Sequence, residues 1–191
     1  ERKPFNEDNK KMYEKLLELS STKEIQTLTT HHIIALVDFI LDKLPTEVLS
    51  ALTIVKILRN LCEHLRSSIE PCALLPLFMD FFSKQRFLTS SFAQEVRFNI
   101  YLVLLCVFKK ELKHCSSTLG LAAANVVLAQ TEGEKDPRNL TLVLELANFV
   151  CDNVPASVLG VQSQTLWEAL SIYFPISFKN PNSDILIDQP H

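Results

Sequence analysis

Histidine and cysteine bind transition metals readily, and three close pairs of them occur in this chain of 191 residues. The pairs are His31 with His32, Cys62 with His64, and His114 with Cys115. On an α-helix, successive residues point about 100° apart, so side chains one or two positions apart do not converge on one ion. The chain also has no C-x-x-C motif and no iron–sulphur ligand run. The sequence therefore predicts no metal site and no bound cofactor.

Catalytic constellations are also missing from the sequence. It contains no G-x-S-x-G, no phosphate-binding glycine-rich loop and no H-E-x-x-H. Glu145 and Asp152 are acidic residues that could pair, but their spacing is typical of a solvated helix face. Cys115 would need a base to act as a nucleophile, and the adjacent His114 points elsewhere on a helix. We therefore predict no catalytic residue and a protein that is not an enzyme.

The composition favours a folded helical domain. Apolar residues make up 47% and charged residues 21% of the chain, which is typical of a globular protein. Only 3 glycines occur against 9 prolines and 12 phenylalanines, and this scarcity of turn glycines favours helices over sheets. The net charge of −3 provides no positive surface for a nucleic-acid backbone. We predict no direct binding to nucleic acid.

The longest apolar runs are too short to cross a membrane. The run "NIYLVLLCVFKK" (99–110) ends well before the roughly 18 apolar residues that a span needs. The opening "ERKPFNEDNKKMYEKL" has no apolar stretch of the signal-peptide kind and no initiator methionine. We therefore expect no membrane association and a piece of a longer protein. Five cysteines, an odd number, are typical of reduced thiols in the core of a cytosolic or nuclear protein.

Apolar residues recur at three- and four-residue steps along most of the chain, which indicates helices. About eight helices are predicted, near residues 6–20, 31–44, 47–65, 71–84, 91–112, 116–131, 137–154 and 162–174. Thr46 is a candidate cap of the third, and Ser90 or Ser91 of the fifth. Pro76 is expected to bend the fourth. Trp167, beside Leu166 and Leu170, is expected in the core.

The stretch "TEGEKDPRNL" (131–140) joins two apolar segments and consists largely of charged residues. Gly133 can adopt the left-handed conformation that closes a helix. Asp136 is positioned as the N-cap of the next helix, and Pro137 as its first residue, where a missing amide hydrogen costs nothing. The stretch is therefore a tight structural turn, and the two helices that it joins must lie antiparallel.

The second helices of successive pairs begin near Glu47, Ser91 and Pro137, a period of about 45 residues. This period is typical of HEAT repeats, in which stacked helical hairpins share one core. The pair Val96-Arg97 is typical of a HEAT second helix, whose arginine can bind an acidic residue of the next repeat. We predict an all-α solenoid of antiparallel hairpins over residues 1–173, stacked as a right-handed superhelix, and an irregular strap over 174–191. A single helical bundle without repeats is the alternative.

Two surface stretches are candidate partner-binding sites. The connector displays charged and polar groups on a short rigid turn, so a partner could bind them at little ordering cost. The turn is expected to display Glu132, Glu134, Lys135, Asp136, Arg138 and Asn139. Its candidate contact residues are Lys135, Asp136, Arg138 and Asn139. The alternative is a soluble capped turn without a binding role. The second stretch is "YFPISFKNPNSD" (173–184), whose Phe174 and Phe178 are expected in a strap docked over a repeat face.

These two stretches carry a family resemblance. "GEKDPRNL" (133–140), followed some thirty residues later by "YFPISFKNPNSD", resembles the N-terminal HEAT region of the MMS-nineteen family. The resemblance is clear from about Phe92 to Asp184, and the residues before it show only compatible helical repeats. That family is the scaffold of the cytosolic iron–sulphur protein assembly targeting complex.

The resemblance implies a non-enzymatic adaptor of cytoplasm and nucleus. Its implied partners are the assembly factors of that complex and apo iron–sulphur clients such as helicases, polymerases and primases. The family is also tied to nucleotide excision repair and to transcription through a helicase of the general factor TFIIH.

Two other functions are open to a chain of this kind. A helical-repeat transport adaptor of the import-receptor kind would use ladders of Trp and Asn on its second helices, but only one Trp is present. Asn60, Asn99 and Asn148 do not share a register that such a ladder requires. The other alternative is a carrier that holds an iron–sulphur cluster on its own thiols.

Overall fold

The computed structural model describes residues 7–22, 25, 27–64, 73–84, 91–131 and 134–173, and these are all helix, turn or loop. Within them lie nine α-helices, of which α8 is a single turn. The helices are α1 (Glu7–Ser20), α2 (Thr30–Lys43), α3 (Ala51–His64), α4 (Leu75–Lys84), α5 (Gln94–Glu111), α6 (Ser117–Thr131), α7 (Pro137–Asn153), α8 (Ala156–Leu159) and α9 (Val161–Ser171). The other eight helices correspond to the eight predicted from apolar periodicity.

The helices form two layers. In one layer α1, α3, α5 and α7 lie side by side, with α3 against α5 and α5 against α7 as the most extensive contacts. In the other layer α2, α4, α6 and α9 follow one another in the same order. Each of α2, α4 and α6 also packs against the helix that follows it in the chain. The result is a stack of helical hairpins, which confirms the predicted all-α solenoid.

The repeat has a constant period within the stack. The second helices α3, α5 and α7 begin at Ala51, Gln94 and Pro137, so both intervals are 43 residues. This is close to the predicted period of about 45 residues. Such regularity favours stacked repeats over a helical bundle without repeats, because a bundle does not require equal intervals.

One continuous apolar core runs between the two layers. Its largest fully buried side chains include Tyr13 on α1, Phe78 on α4, and Tyr101 and Phe108 on α5. Helix α6 approaches its neighbour closely, because a Cβ added at Gly120 lies only 3.1 Å from Cγ1 of Val154. The alanine-rich sequence of α6 indicated this close approach.

The starts of three helices differ from the predictions. Helix α3 begins at Ala51 after a short 3-10 turn, and the Thr46 hydroxyl instead donates to the Lys43 carbonyl oxygen at the end of α2. Helix α5 begins after Ala93 without a side-chain cap, so the prediction of a serine cap is wrong. Helix α4 begins at Leu75, which places Pro76 in the first turn. No bend is required there, because first-turn amides need no partner in the helix.

The end of α5 stabilises two other helix ends. The buried carboxylate of Glu111 accepts hydrogen bonds from the amides of Leu74 and Leu75, which lie at the start of α4. The ammonium group of Lys110 donates to the carbonyl oxygens of Cys62 and Glu63 near the end of α3. These long-range bonds satisfy backbone groups that a helix cannot satisfy itself. Sequence reasoning could not assign them, because the partners are remote in the chain.

Trp167 is 70% exposed, so the prediction that it lies in the core is wrong. Its neighbour Leu166 is only 3% exposed and is the residue of α9 that enters the core. Because adjacent helical residues diverge by about 100°, both side chains cannot point inward. The apolar pair gave no indication of which of the two was buried.

Candidate functional site

The connector between α6 and α7 is built around a buried ion pair. The carboxylate of Glu134 accepts from Nε and Nη2 of Arg97, and both distances are 3.0 Å. The Glu134 side chain is 1% exposed and that of Arg97 is 19% exposed. Arg97 lies in the first turn of α5, so the pair joins α5 to the connector that leads into α7. The prediction that Arg97 binds an acidic residue of the next repeat is confirmed.

Further donors form hydrogen bonds to the Glu134 carboxylate. The hydroxyl of Tyr101 donates to it at 3.0 Å, and the amides of Lys135 and Asp136 also donate at 3.0 Å. A buried carboxylate is stable only when its oxygens have such partners. We call Glu134, Arg97 and Tyr101 the connector clasp.

Glu134 and Arg97 both remain charged at neutral pH. Burial alone raises the pKa of Glu134, but the hydrogen bonds from Arg97, the Asp136 amide and Tyr101 outweigh it, and the pKa falls below its usual value. The hydrogen bond to Glu134 raises the pKa of Arg97, and burial followed by the Glu134 charge raises the pKa of Tyr101. No member of the clasp therefore exchanges a proton near pH 7, and its role is to fix the backbone.

The start of α7 has the predicted local structure. Oδ1 of Asp136 accepts from the amides of Arg138 and Asn139, each at 3.1 Å, and Pro137 is the first helical residue. The predictions for Asp136 and Pro137 are confirmed. The predicted role of Gly133 lies outside the described residues.

The fold divides the predicted contact residues between surface and interior. Lys135 is exposed, and the side chain of Arg138 is 72% exposed. Asn139 is fully buried, with its amide nitrogen 3.3 Å from the Gln94 carbonyl oxygen that accepts from it. The prediction that Asn139 is displayed is therefore wrong, as is the same prediction for Glu134. Both side chains point toward α5, on the side of the connector that the stack covers.

Tyr173, the first residue of the "YFPI" stretch, contacts the same connector. Its hydroxyl donates to the Thr131 carbonyl oxygen at 2.6 Å and lies 3.2 Å from the Glu134 carbonyl oxygen. Burial, and then the charge of Glu134, raise the pKa of Tyr173. The structure thus joins the two stretches that were singled out in the sequence. Phe174 and Phe178 lie outside the described residues, and their docking stays a prediction.

A related arrangement occurs two hairpins earlier. Glu47, in the connector before α3, accepts from the side-chain amide of Asn9 at 2.9 Å. Four residues after Asn9 comes Tyr13, which is 1% exposed and whose pKa is raised by burial and then by Glu47. In the connector clasp, Arg97 likewise precedes its tyrosine by four residues. Sequence reasoning missed this pattern, although a tyrosine followed some 33 residues later by a glutamate recurs in the chain.

The three close pairs of histidine and cysteine belong to no metal-binding group in the described residues. In the ranges given above, no three His, Cys, Asp or Glu side chains are grouped closely enough to hold an ion. His31, His32 and His114 are exposed, whereas Cys62 is buried and its burial raises the pKa of the thiol well above its usual value. Cys151 is exposed, so the expectation of core thiols is wrong for that residue.

The two acidic residues considered as a catalytic pair bind other side chains. Glu145 accepts from the ammonium group of Lys109 on α5 at 2.8 Å, and Asp152 accepts from Asn148 at 3.1 Å. Both acids are exposed on α7.

In the part of the chain that the structure describes, no helix is long and apolar enough to cross a membrane.

Comparison with known proteins gave one family. The sequence model of the MMS19 N-terminal region, described as "Dos2-interacting transcription regulator of RNA-Pol-II", matches residues 4–188. No curated protein and no solved structure matched the chain.

Proposed function

The chain belongs to the MMS19 N-terminal family, and on this premise we propose that it is a non-enzymatic scaffold of the cytosolic iron–sulphur protein assembly targeting complex. In this function it helps to deliver iron–sulphur clusters to apoproteins of DNA repair, replication and transcription. It acts in the cytoplasm and the nucleus through protein partners. The family match over residues 4–188 carries the proposal.

The architecture supports a scaffold. A two-layer stack of hairpins presents a long, regular surface whose shape is set by a shared core. Partners bound along such a surface are held at fixed relative positions by contacts with several repeats. This is the property that a protein needs when it brings an assembly factor and an apoprotein together.

The family description agrees with this proposal. It refers to transcription by RNA polymerase II and to a protein partner, Dos2. A scaffold that supplies a cluster to a helicase of TFIIH affects transcription through that helicase. A role in transcription therefore needs no binding of nucleic acid by this chain.

Within the scaffold, the connector is the proposed partner contact. Lys135 and Arg138 are exposed, and the clasp holds the backbone between them and α5. Asp136 contributes by capping α7 and thus positioning Arg138. A partner that binds this segment orders little additional chain, which favours affinity.

The proposal is tested by iron incorporation in cells that lack the gene for this chain. We expect radiolabelled iron in a cytosolic iron–sulphur helicase to fall severalfold, while incorporation into a mitochondrial iron–sulphur enzyme is unchanged. Restoring the gene should return iron incorporation into the helicase to its normal level. Unchanged incorporation into cytosolic and nuclear clients in the absence of the gene would contradict the proposal.

The connector is tested by pull-down of purified apo-clients with the variant Lys135→Ala plus Arg138→Glu. We expect lower client recovery at unchanged helical content. The matched control is Lys11→Ala plus Lys15→Glu on α1, whose side chains are also exposed. Equal recovery by the two folded variants and the wild type removes the connector from the interface.

A further inference from the structure

The connectors that lead into α3 and α7 lie at the same edge of the stack. Glu47, before α3, contacts Asn9 at the start of α1, and Glu134, before α7, contacts Arg97 at the start of α5. The connector before α3 therefore lies level with the first turn of α1, and the connector before α7 lies level with the first turn of α5. Helices α3 and α5 also pack with their first halves together, since Nζ of Lys56 on α3 lies 3.7 Å from Oε1 of Glu95 in the first turn of α5. The two connectors therefore lie along one edge of the stack, which we call the connector edge.

At its α7 end, the described residues of the connector edge expose two basic side chains. The stretch from Glu134 to Arg138 contains two acids and two bases, so its sequence is neutral. In the structure the acids turn inward, with exposed side-chain fractions of 1% for Glu134 and 14% for Asp136. Lys135 and Arg138 are exposed, and Nε of Arg138 lies 3.6 Å from Oδ1 of Asp136. Among these five residues, the two basic side chains are therefore the ones that a partner can reach most easily.

At its α3 end, the connector edge is apolar. Val48 is 61% exposed and Leu49 is 79% exposed, the highest value among the large apolar side chains of the described residues. They occupy the 3-10 turn Val48–Ser50, which is followed by Ala51 and lies four residues after Leu44, and these two residues are each 1% exposed. The buried neighbours anchor the turn in the core, so Val48 and Leu49 are held in solvent. Adjacent exposed apolar side chains on a fixed turn are typical of protein contacts.

We propose that the connector edge binds an extended acidic segment of a protein partner, which also carries a bulky apolar residue. The apolar residue packs on Val48 and Leu49, and the carboxylates bind Lys135 and Arg138. This inference deepens the proposed function, on which it rests for the identity of the partner as a client or assembly factor. The binding chemistry follows from the surface itself.

The distance between the two ends of the connector edge determines how far apart the apolar and acidic residues of the partner must lie. Helices α3 and α7 are separated by α5, and packed helices lie roughly 9 Å apart, so the two ends are roughly 18 Å apart. An extended chain covers about 3.4 Å per residue. The acidic residues of the partner therefore lie about five or six positions from its apolar residue.

The inference is tested with the 191-residue chain and a fluorescein-labelled peptide by fluorescence anisotropy. The peptide has two leucines at one end, a Ser-Gly spacer of about five residues and an Asp/Glu run at the other end. We expect saturable binding that weakens as salt is raised. Peptides with the acids changed to Asn/Gln, or the leucines to Ser, are expected to bind at least about fivefold more weakly, as each loses one of the two contacts.

Two variants locate the site on the chain. Lys135→Glu plus Arg138→Glu is expected to weaken binding about tenfold or more, because it places like charges against the peptide. Lys11→Glu plus Lys15→Glu changes the net charge equally at α1 and is expected to have less than about a twofold effect. Circular dichroism checks that both variants are folded.

Several results would overturn the inference. They are absence of binding to the wild type, equal loss in both charge-reversed variants, and equal binding of the uncharged peptide. If the peptide does not bind but removal of the gene still lowers iron incorporation, the scaffold function stands without this site. If the peptide binds as expected but iron incorporation does not change, the surface is real and the proposed function is wrong.

Discussion

The hydroxyl of Tyr173 donates a hydrogen bond to the carbonyl oxygen of Thr131, at 2.6 Å and 42 residues away in the chain. Thr131 is the last residue of α6, and Tyr173 follows the end of α9. The bond therefore ties α9 to the segment that leads into the connector clasp. The same hydroxyl lies 3.2 Å from the Glu134 carbonyl oxygen, so the two stretches that resemble the MMS-nineteen family in sequence are in contact in the structure.

Changing Tyr173→Phe removes this donor and leaves the ring in place. We expect the free energy of unfolding to fall by about 1 kcal/mol, the usual contribution of one hydrogen bond. Amide hydrogen exchange at residues 134–136 should also accelerate, because the connector loses one of its attachments. Chemical denaturation and mass-detected exchange measure the two effects. Exchange as slow as in the wild type would show that Tyr173 does not restrain the connector.

Changing Glu134→Gln leaves Arg97 without its charged partner in a largely buried position. We expect a loss of about 3 kcal/mol in the free energy of unfolding, as is usual when one partner of a buried pair is removed. The control is Glu145→Gln, which removes the acid of the exposed pair with Lys109 and should cost less than about 1 kcal/mol. Urea denaturation compares the variants. Equal losses would mean that burial of the clasp does not strengthen it.

The clasp also predicts a pH dependence. The pKa of Glu134 is lowered in the folded protein, so the unfolded chain takes up this proton at a higher pH than the folded one. The stabilisation is complete above the ordinary pKa of a glutamate and is lost as the pH falls through the lower, folded pKa. The difference in stability between wild type and Glu134→Gln should be largest near pH 7 and shrink below about pH 4. A difference that is constant from pH 7 to pH 3 would contradict this assignment.

The exposure of the Trp167 side chain can be tested directly. Because its side chain is 70% exposed, Trp167→Ser should change the free energy of unfolding by less than about 0.5 kcal/mol. A tryptophan in the core would cost about 3 kcal/mol or more. It is the only tryptophan of the chain, so its fluorescence should be strongly quenched by acrylamide in the native state. Weak quenching with a large loss of stability would place it in the interior.

Much of the fold could be predicted because its determinants are local. Apolar spacing identified the positions of the helices, and the N-cap Asp136 with Pro137 identified the start of α7. These signals work because a helix must bury one face and satisfy its first amides within a few residues. The starts of α3 and α5 were predicted less well. Their first turns depend on packing, and α5 uses no side-chain cap at all.

The candidate site could be predicted only in part. The sequence indicated a charged turn and an arginine that binds a neighbouring acid, and the structure pairs Arg97 with Glu134. Whether Asn139 and Glu134 lie inside or outside could not be read from the sequence. Polar side chains beside a turn are exposed unless another helix covers them, and α5, which covers these two, is remote in sequence.

Three properties could be derived without the structure: the chain is helical, its helices pair as antiparallel hairpins, and the pairs recur at a nearly constant interval. These properties follow from side-chain spacing and from short connectors, which act over a few residues. Which charges of the connector reach solvent depends instead on how the repeats pack. Stacking α7 against α5 brings Glu134 to Arg97 and leaves Lys135 and Arg138 outside, since a buried carboxylate needs a partner that only the adjacent repeat supplies.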